Sequence, residues 1–149
     1  MKCECCELNK NITTLIFETR HWHVILNRDQ ALLGKTVVAS RRHCENLSSL
    51  TVDEWTDLKS VIIKLESALK KAFSCEPINW SCLMNGAYEN RTAPHIHWHV
   101  DPRYCKEVKY AGLKFIDPNY GNPHDYKRIN VLPKETLDLI IGEIRKNLK

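Results

Sequence analysis

With 149 residues, 43% hydrophobic and 27% charged, the chain can form one domain with a real core and is too apolar for intrinsic disorder. Its formal charge of +4 is carried by short basic clusters, Arg41-Arg42 and Lys70-Lys71 among them. That pattern argues against a specific nucleic-acid binder and leaves small anions as candidate ligands. No apolar run approaches the ~18 residues of a membrane span, so no membrane partner is expected. Met1 to Cys6 lacks the apolar stretch of a secretory signal, which makes a cytoplasmic, reducing location and free thiols the expectation for the seven cysteines.

Cys3, Cys5 and Cys6 place three thiols in four residues, and the Cys3-x-x-Cys6 spacing can chelate a metal. Residues 13–18 and 22–26 suit strands, with a turn at Asn27 to Gln30 between the second and a β-branched run, Thr36 to Ala39. Thr51 and Glu54 form a capping box. Behind it Trp55, Leu58, Ile62, Leu65 and Leu69 recur at steps of three and four, predicting a helix to about Phe73. Ile78, Trp80 and Cys82 predict a fourth strand, Asn85 to Pro94 a polar loop, and His95 to Val100 a fifth strand. Turn residues crowd Asp117 to Pro123. Pro133 opens a last helix with Leu137, Ile140, Ile141, Ile144 and Leu148 on one face. Cys44, Cys75, Cys82 and Cys105 read as small packing residues. Strands on both sides of one long helix, without βαβ alternation, imply an α+β fold with an antiparallel sheet of about five strands.

The sharpest feature is His95-Ile96-His97-Trp98-His99-Val100. In a strand the three imidazoles share one face, and the apolar residues take the other. His95 and His99 would be roughly 13 Å apart, too far to share one metal, so the three should divide their labour. A histidine-rich strand without a role and a two-histidine metal site are the plainer readings of the same residues.

The string of three alternating histidines followed by Pro102-Arg103-Tyr104 resembles the histidine-triad (HIT) superfamily of nucleotide hydrolases and transferases. Val24 to Arg28, Leu33 to Val38, His43 through Leu50, and Phe115 to Gly121 are similar to further segments of that family. The resemblance implies a single HIT domain over residues 1–149: an N-terminal zinc clip, a triad strand at 95–100, and a C-terminal tail and helix over 105–149. It implies that His97 is the nucleophile at the α-phosphorus and that His99 stabilises the developing charge or helps the leaving group. Asn27 would hold the ribose and Asn85 would sit near the phosphate. A zinc-carrying branch of the family implies Cys3, Cys6, His43 and His95 as ligands of a structural zinc, with Cys5 able to replace either thiol. Family members usually pair as homodimers through the long helix and a central strand.

Two departures bear on substrate. Asn90-Arg91-Thr92 stands where the family often has Gly-Gln-Ser/Thr; Thr92 keeps the hydroxyl, and Arg91 can grip a polyphosphate or point to solvent. Lys35 replaces a family histidine and offers a point charge for a phosphate. The substrates implied are adenosine phosphoramidates, dinucleoside polyphosphates or related conjugates, for which a divalent cation can assist binding. The rival readings are a non-catalytic nucleotide-binding module and a metalloenzyme with the triad on a catalytic zinc.

Overall fold

The computed structural model describes residues 2–148. Five antiparallel strands form the sheet: β1 (Leu15–Glu18), β2 (Trp22–Leu26), β3 (Thr36–Ser40), β4 (Ile78–Ser81) and β5 (His97–Pro102), in the order β1-β2-β3-β5-β4. Helix α1 (Glu4–Leu8) precedes them. The long helix α2 (Val52–Phe73) links β3 to β4, and the short α3 (Asn85–Glu89) links β4 to β5. A hairpin, β6 (Val108–Tyr110) and β7 (Leu113–Phe115), and the C-terminal α4 (Lys134–Lys146) complete the chain. The α+β architecture and its five strands are as expected.

Period-two alternation assigns the two faces of the sheet. Trp22, Val24, Leu26, Val38 and Val100 are fully buried, and they join one core with Leu58, Val61, Leu65 and Leu69 of α2 and Ile140 and Ile144 of α4. The opposite face carries the rows Ala39–His97 and Val37–His99–Ser81. The apolar face thus anchors the sheet on two helices and leaves the histidine face for chemistry. Gly34, at φ 79, turns the chain into β3 where a Cβ would meet Leu69 and Phe73 at 3.0–3.2 Å, so the turn packs tightly only as glycine.

Helix α2 starts with both halves of its capping box formed: Glu54 N–H donates to the Thr51 hydroxyl, and Thr51 N–H donates to the Glu54 carboxylate. Arg42 adds a bidentate pair to Glu54, which outweighs the cost of burial and holds that carboxyl down at about 2. Thr51→Ala removes one cap and is expected to cost about 1 kcal/mol, read as a shift of the urea midpoint.

Three elements differ from expectation. The polar loop contains α3, residues 108–115 form a hairpin, and β5 begins at His97 rather than His95. His95 sits just before the strand because the ladder ends at Ile96, whose carbonyl still accepts from Ser40 N–H of β3 but whose own N–H is diverted to Cys44 O. Cys44 and Cys75 are buried as packing residues, whereas Cys82 is half-buried and Cys105 is exposed on the turn before β6. No helix among the described residues is long and apolar enough to cross a membrane.

Candidate active site and metal cluster

His97 and His99 stand on the sheet face opposite α2 and α4, with ring centroids 4.9 Å apart. His97 Nδ1 lies 2.8 Å from the carbonyl of His95. A carbonyl only accepts, so Nδ1 carries a proton and donates to it, and in the neutral ring Nε2 is the nitrogen with the lone pair. The two rings line a cavity of about 500 Å³ together with Asn85, Thr92, Cys5 and Tyr126. Burial first, then the neighbouring His97, push the His99 imidazole down to about 4; the Asp101 carboxylate opposes them. His99 is therefore neutral at pH 7 and acts as a hydrogen-bonding group rather than a fixed cation.

That shift has a consequence for stability. The folded value lies below the ordinary 6.5, so between the two the unfolded chain binds the extra proton. The His99 contribution is complete above about pH 6.5 and is lost as the pH falls toward about 4. Burial lowers His23, His95 and His124 in the same direction. His99→Asn is expected to flatten the acid limb of the stability profile across this window, measured by urea midpoints at stepped pH.

A second cluster lies behind the triad. One donor atom from each of Cys3, Cys6, His43 and His95 falls within 4.8 Å of the others. The Cys3 and Cys6 thiols stand 3.3 and 3.5 Å from His95 Nδ1, and Cys6 Sγ is 3.5 Å from His43 Nδ1. Metal–ligand bonds of about 2.0–2.3 Å at tetrahedral angles require separations near these values. The tautomers also suit a metal. His95 Nε2–H donates to Ser40 O at 2.8 Å, and His43 Nε2 lies 3.1 Å from Glu45 Oε1, so each Nδ1 points its lone pair at the thiols. Cys3 caps α1, and Cys6 follows one turn later on the same side of the helix. Cys5 falls on a different side and lines the His97 cavity, so it does not replace either thiol in this cluster. Of the triad only His95 belongs to the cluster, and the four side chains fit a closed Cys2His2 site.

The remaining expected substrate residues divide. Asn85 and Thr92 line the His97 cavity; Asn27, Lys35 and Arg91 do not. Asn27 closes a turn by accepting Asp29 N–H at 2.9 Å. Lys35 is 3% exposed, and its ammonium is 2.6 Å from Asp29, so its charge is already compensated. Arg91 is exposed in a left-handed turn after α3. Arg103 does not supply a free cation either. It forks onto Asp117 and reaches the carbonyls of Asn119 and Asn122, pinning the tail.

Sequence reasoning missed Tyr126 and Asp101. The Tyr126 ring lies 5.3 Å from that of His99, and its hydroxyl donates to Asp101 Oδ2 at 2.6 Å. Asp101 was findable: the alternation that pairs His97 with His99 reaches it two residues later. Tyr126 carries no such signal, because an irregular tail brings it to the sheet. That tail is tied to the β2–β3 turn, where Asn130 N–H donates to Asp29 and Gln30 N–H to Asn130 O.

Comparison with known proteins places this arrangement. The HIT domain family model matches residues 9–106, well over half of the chain. The asymmetrical bis(5'-nucleosyl)-tetraphosphatase of Schizosaccharomyces pombe is 27% identical over 110 residues, which cover 72% of this chain but only 60% of that protein's length. Protein hit of Bacillus subtilis is 26% identical over 116 residues, covering 77% of this chain and 79% of its own. Among solved structures, a hypothetical histidine triad nucleotide-binding protein from Sulfolobus tokodaii superposes with a TM-score of 0.73 at 19% identity, over 98% of this chain and 91% of that one. A zinc-bound histidine triad protein from Mycobacterium smegmatis gives 0.59 at 18% identity, over 97% and 94%. These structures share the fold. With the family model spanning the sheet, α2 and all three histidines, the chain belongs to the HIT domain family.

Proposed function

We propose that the protein is a nucleotide hydrolase or nucleotidyl transferase that works through a covalent nucleotidyl-His97. The observation that carries this reading is His97 itself: Nδ1–H is fixed on the His95 carbonyl, which makes Nε2 the lone-pair nitrogen of the neutral ring, and the ring shares a cavity with His99, Asn85 and Thr92. In the first step the Nε2 lone pair attacks the α-phosphorus. The bond from phosphorus to the leaving group breaks, and its electron pair departs with that group. In the second step water attacks the same phosphorus, the P–Nε2 bond breaks, and nucleoside monophosphate leaves as water's proton passes to solvent. Neutral His99 donates a hydrogen bond to the phosphoryl oxygens as charge builds, and Asn85 and Thr92 hold the phosphate.

Cys3, Cys6, His43 and His95 would hold zinc. Bound there, zinc supplies a structural cross-link between the N-terminus and the segment that carries the His95 carbonyl. The nucleophile's tautomer thus depends on a residue of the clip.

The S. pombe tetraphosphatase and a Dictyostelium discoideum bis(5'-adenosyl)-triphosphatase, 26% identical over 89 residues, favour dinucleoside polyphosphates; adenosine phosphoramidates stand beside them on the family resemblance alone. Nucleotide release from diadenosine polyphosphates of two lengths and an adenosine phosphoramidate tests the reading. Turnover of one member names the substrate; silence on all three, with nucleotide still bound, leaves a binding module. The groove between Trp55 and Ile62 of α2 and Trp80 and Trp98 of the sheet is the surface for a second copy in a homodimer, and light scattering showing a monomer contradicts that assignment.

A further inference from the structure

The His97 cavity adjoins a second one of about 580 Å³, and Leu83 and Tyr126 line both. Asn79, Ser81, Asp101, Asn122 and His124 form much of the second, where β4 and β5 meet the tail. Asp101 is the unusual member. It is a carboxylate only 2% exposed, on the same strand face as His97 and His99. Its Oδ2 accepts from the Tyr126 hydroxyl, yet its buried Oδ1 has no hydrogen-bond partner among the described residues. The cations nearby are committed elsewhere, Arg103 to Asp117 and Lys35 to Asp29. A buried carboxylate oxygen without a donor destabilises the folded state, and such groups are retained where a ligand supplies the donor. A cavity of this size accommodates a nucleoside, and a carboxylate accepting from ribose hydroxyls is an established way of reading that sugar.

Resting on the nucleotide reading above, we propose that the second cavity takes a ribosyl group of the substrate, with Asp101 Oδ1 accepting a hydrogen bond from a ribose hydroxyl. Tyr126, 38% exposed, is the wall that gives way to admit it. The phosphates extend from there to His97. The sugar is either that of the nucleotide transferred to His97 or that of the nucleotide that leaves.

Asp101→Asn tests this directly. The asparagine keeps an oxygen for Tyr126, removes a buried charge and turns the free position from acceptor to donor, so the melting temperature holds or rises. Turnover is compared on diadenosine tetraphosphate and an adenosine phosphoramidate, each beside its 2′,3′-dideoxy counterpart. We expect kcat/KM to fall about tenfold on the ribose compounds and less than about twofold on the dideoxy ones. A loss confined to the dinucleotide assigns the leaving ribose; a loss shared with the phosphoramidate assigns the transferred one. An equal loss on ribose and dideoxy compounds shows Asp101 acting through His99 and overturns the proposal, as does no loss at all. If wild type turns over none of the compounds, the enzyme reading fails instead. The ribosyl contact is then judged by calorimetry of AMP against dideoxy-AMP, where equal affinity of wild type for the two overturns it.

Discussion

Replacing His97 with alanine is expected to lower nucleotide release by about three orders of magnitude or more while leaving the fold intact. The size follows from the role. A residue that forms the covalent intermediate cannot be bypassed by positioning alone, and removal of a nucleophile elsewhere costs 10³-fold and upward. The fold survives because the His97 ring is only half-buried and its one hydrogen bond goes to a neighbouring carbonyl. His99→Asn should cost less, about 10²-fold, because it removes a hydrogen bond made as charge develops and not the attacking atom. The measurement is initial-rate release of nucleoside monophosphate, with circular dichroism as the control for folding. Equal rates for wild type and His97→Ala would remove His97 from the chemistry.

Loss of the metal site is expected to act on stability first. Helix α1 has five residues, none of them buried, and so short a helix does not hold itself together in water. Two hydrogen bonds to the rest of the domain tie its surroundings: Ala93 N–H to Lys2 O, and Asn9 Nδ2–H to Ser40 O. With zinc on Cys3, Cys6, His43 and His95, as proposed, the clip would fix this segment over the His97 cavity. Cys6→Ala, or chelation, should lower the melting temperature by about 6–12 °C, taking about 3 kcal/mol for the lost cross-link and 2–4 °C per kcal/mol. Well below that temperature, molecules still folded should keep kcat within about threefold. Elemental analysis of the purified protein should find one zinc per chain. Undiminished stability in metal-free protein would contradict the clip, and immediate loss of activity before any unfolding would favour a catalytic metal.

Much of this was legible in the sequence because it rests on periodicity. The capping box at Thr51 and Glu54 and the apolar stripe behind it located α2; β-branched composition and alternation together located the five strands, and alternation set the face shared by His97 and His99. What periodicity could not show was where a strand stops. His95 leaves the sheet because Ile96 gives its N–H to Cys44 O instead of to β3, a contact over 50 residues away in the chain. Charge compensation was equally hidden. Lys35 reads as a free point charge for a phosphate until the fold brings Asp29 against it. The tail was the least legible part, since Tyr126 and His124 reach the site through turns whose course depends on Arg103 and Asp29 rather than on local propensity.

The covalent intermediate is the most direct test of the account. Protein quenched in mid-turnover with a good substrate, digested under neutral to basic conditions and examined by mass spectrometry, should carry one nucleoside monophosphate on the peptide containing His97, bonded to nitrogen and released by acid. The account predicts that adduct on wild type, at a steady level of no more than one per chain while product forms, and its absence from His97→Ala. Steady turnover with no adduct, or with inversion of configuration at the α-phosphorus, would contradict a two-step transfer through His97.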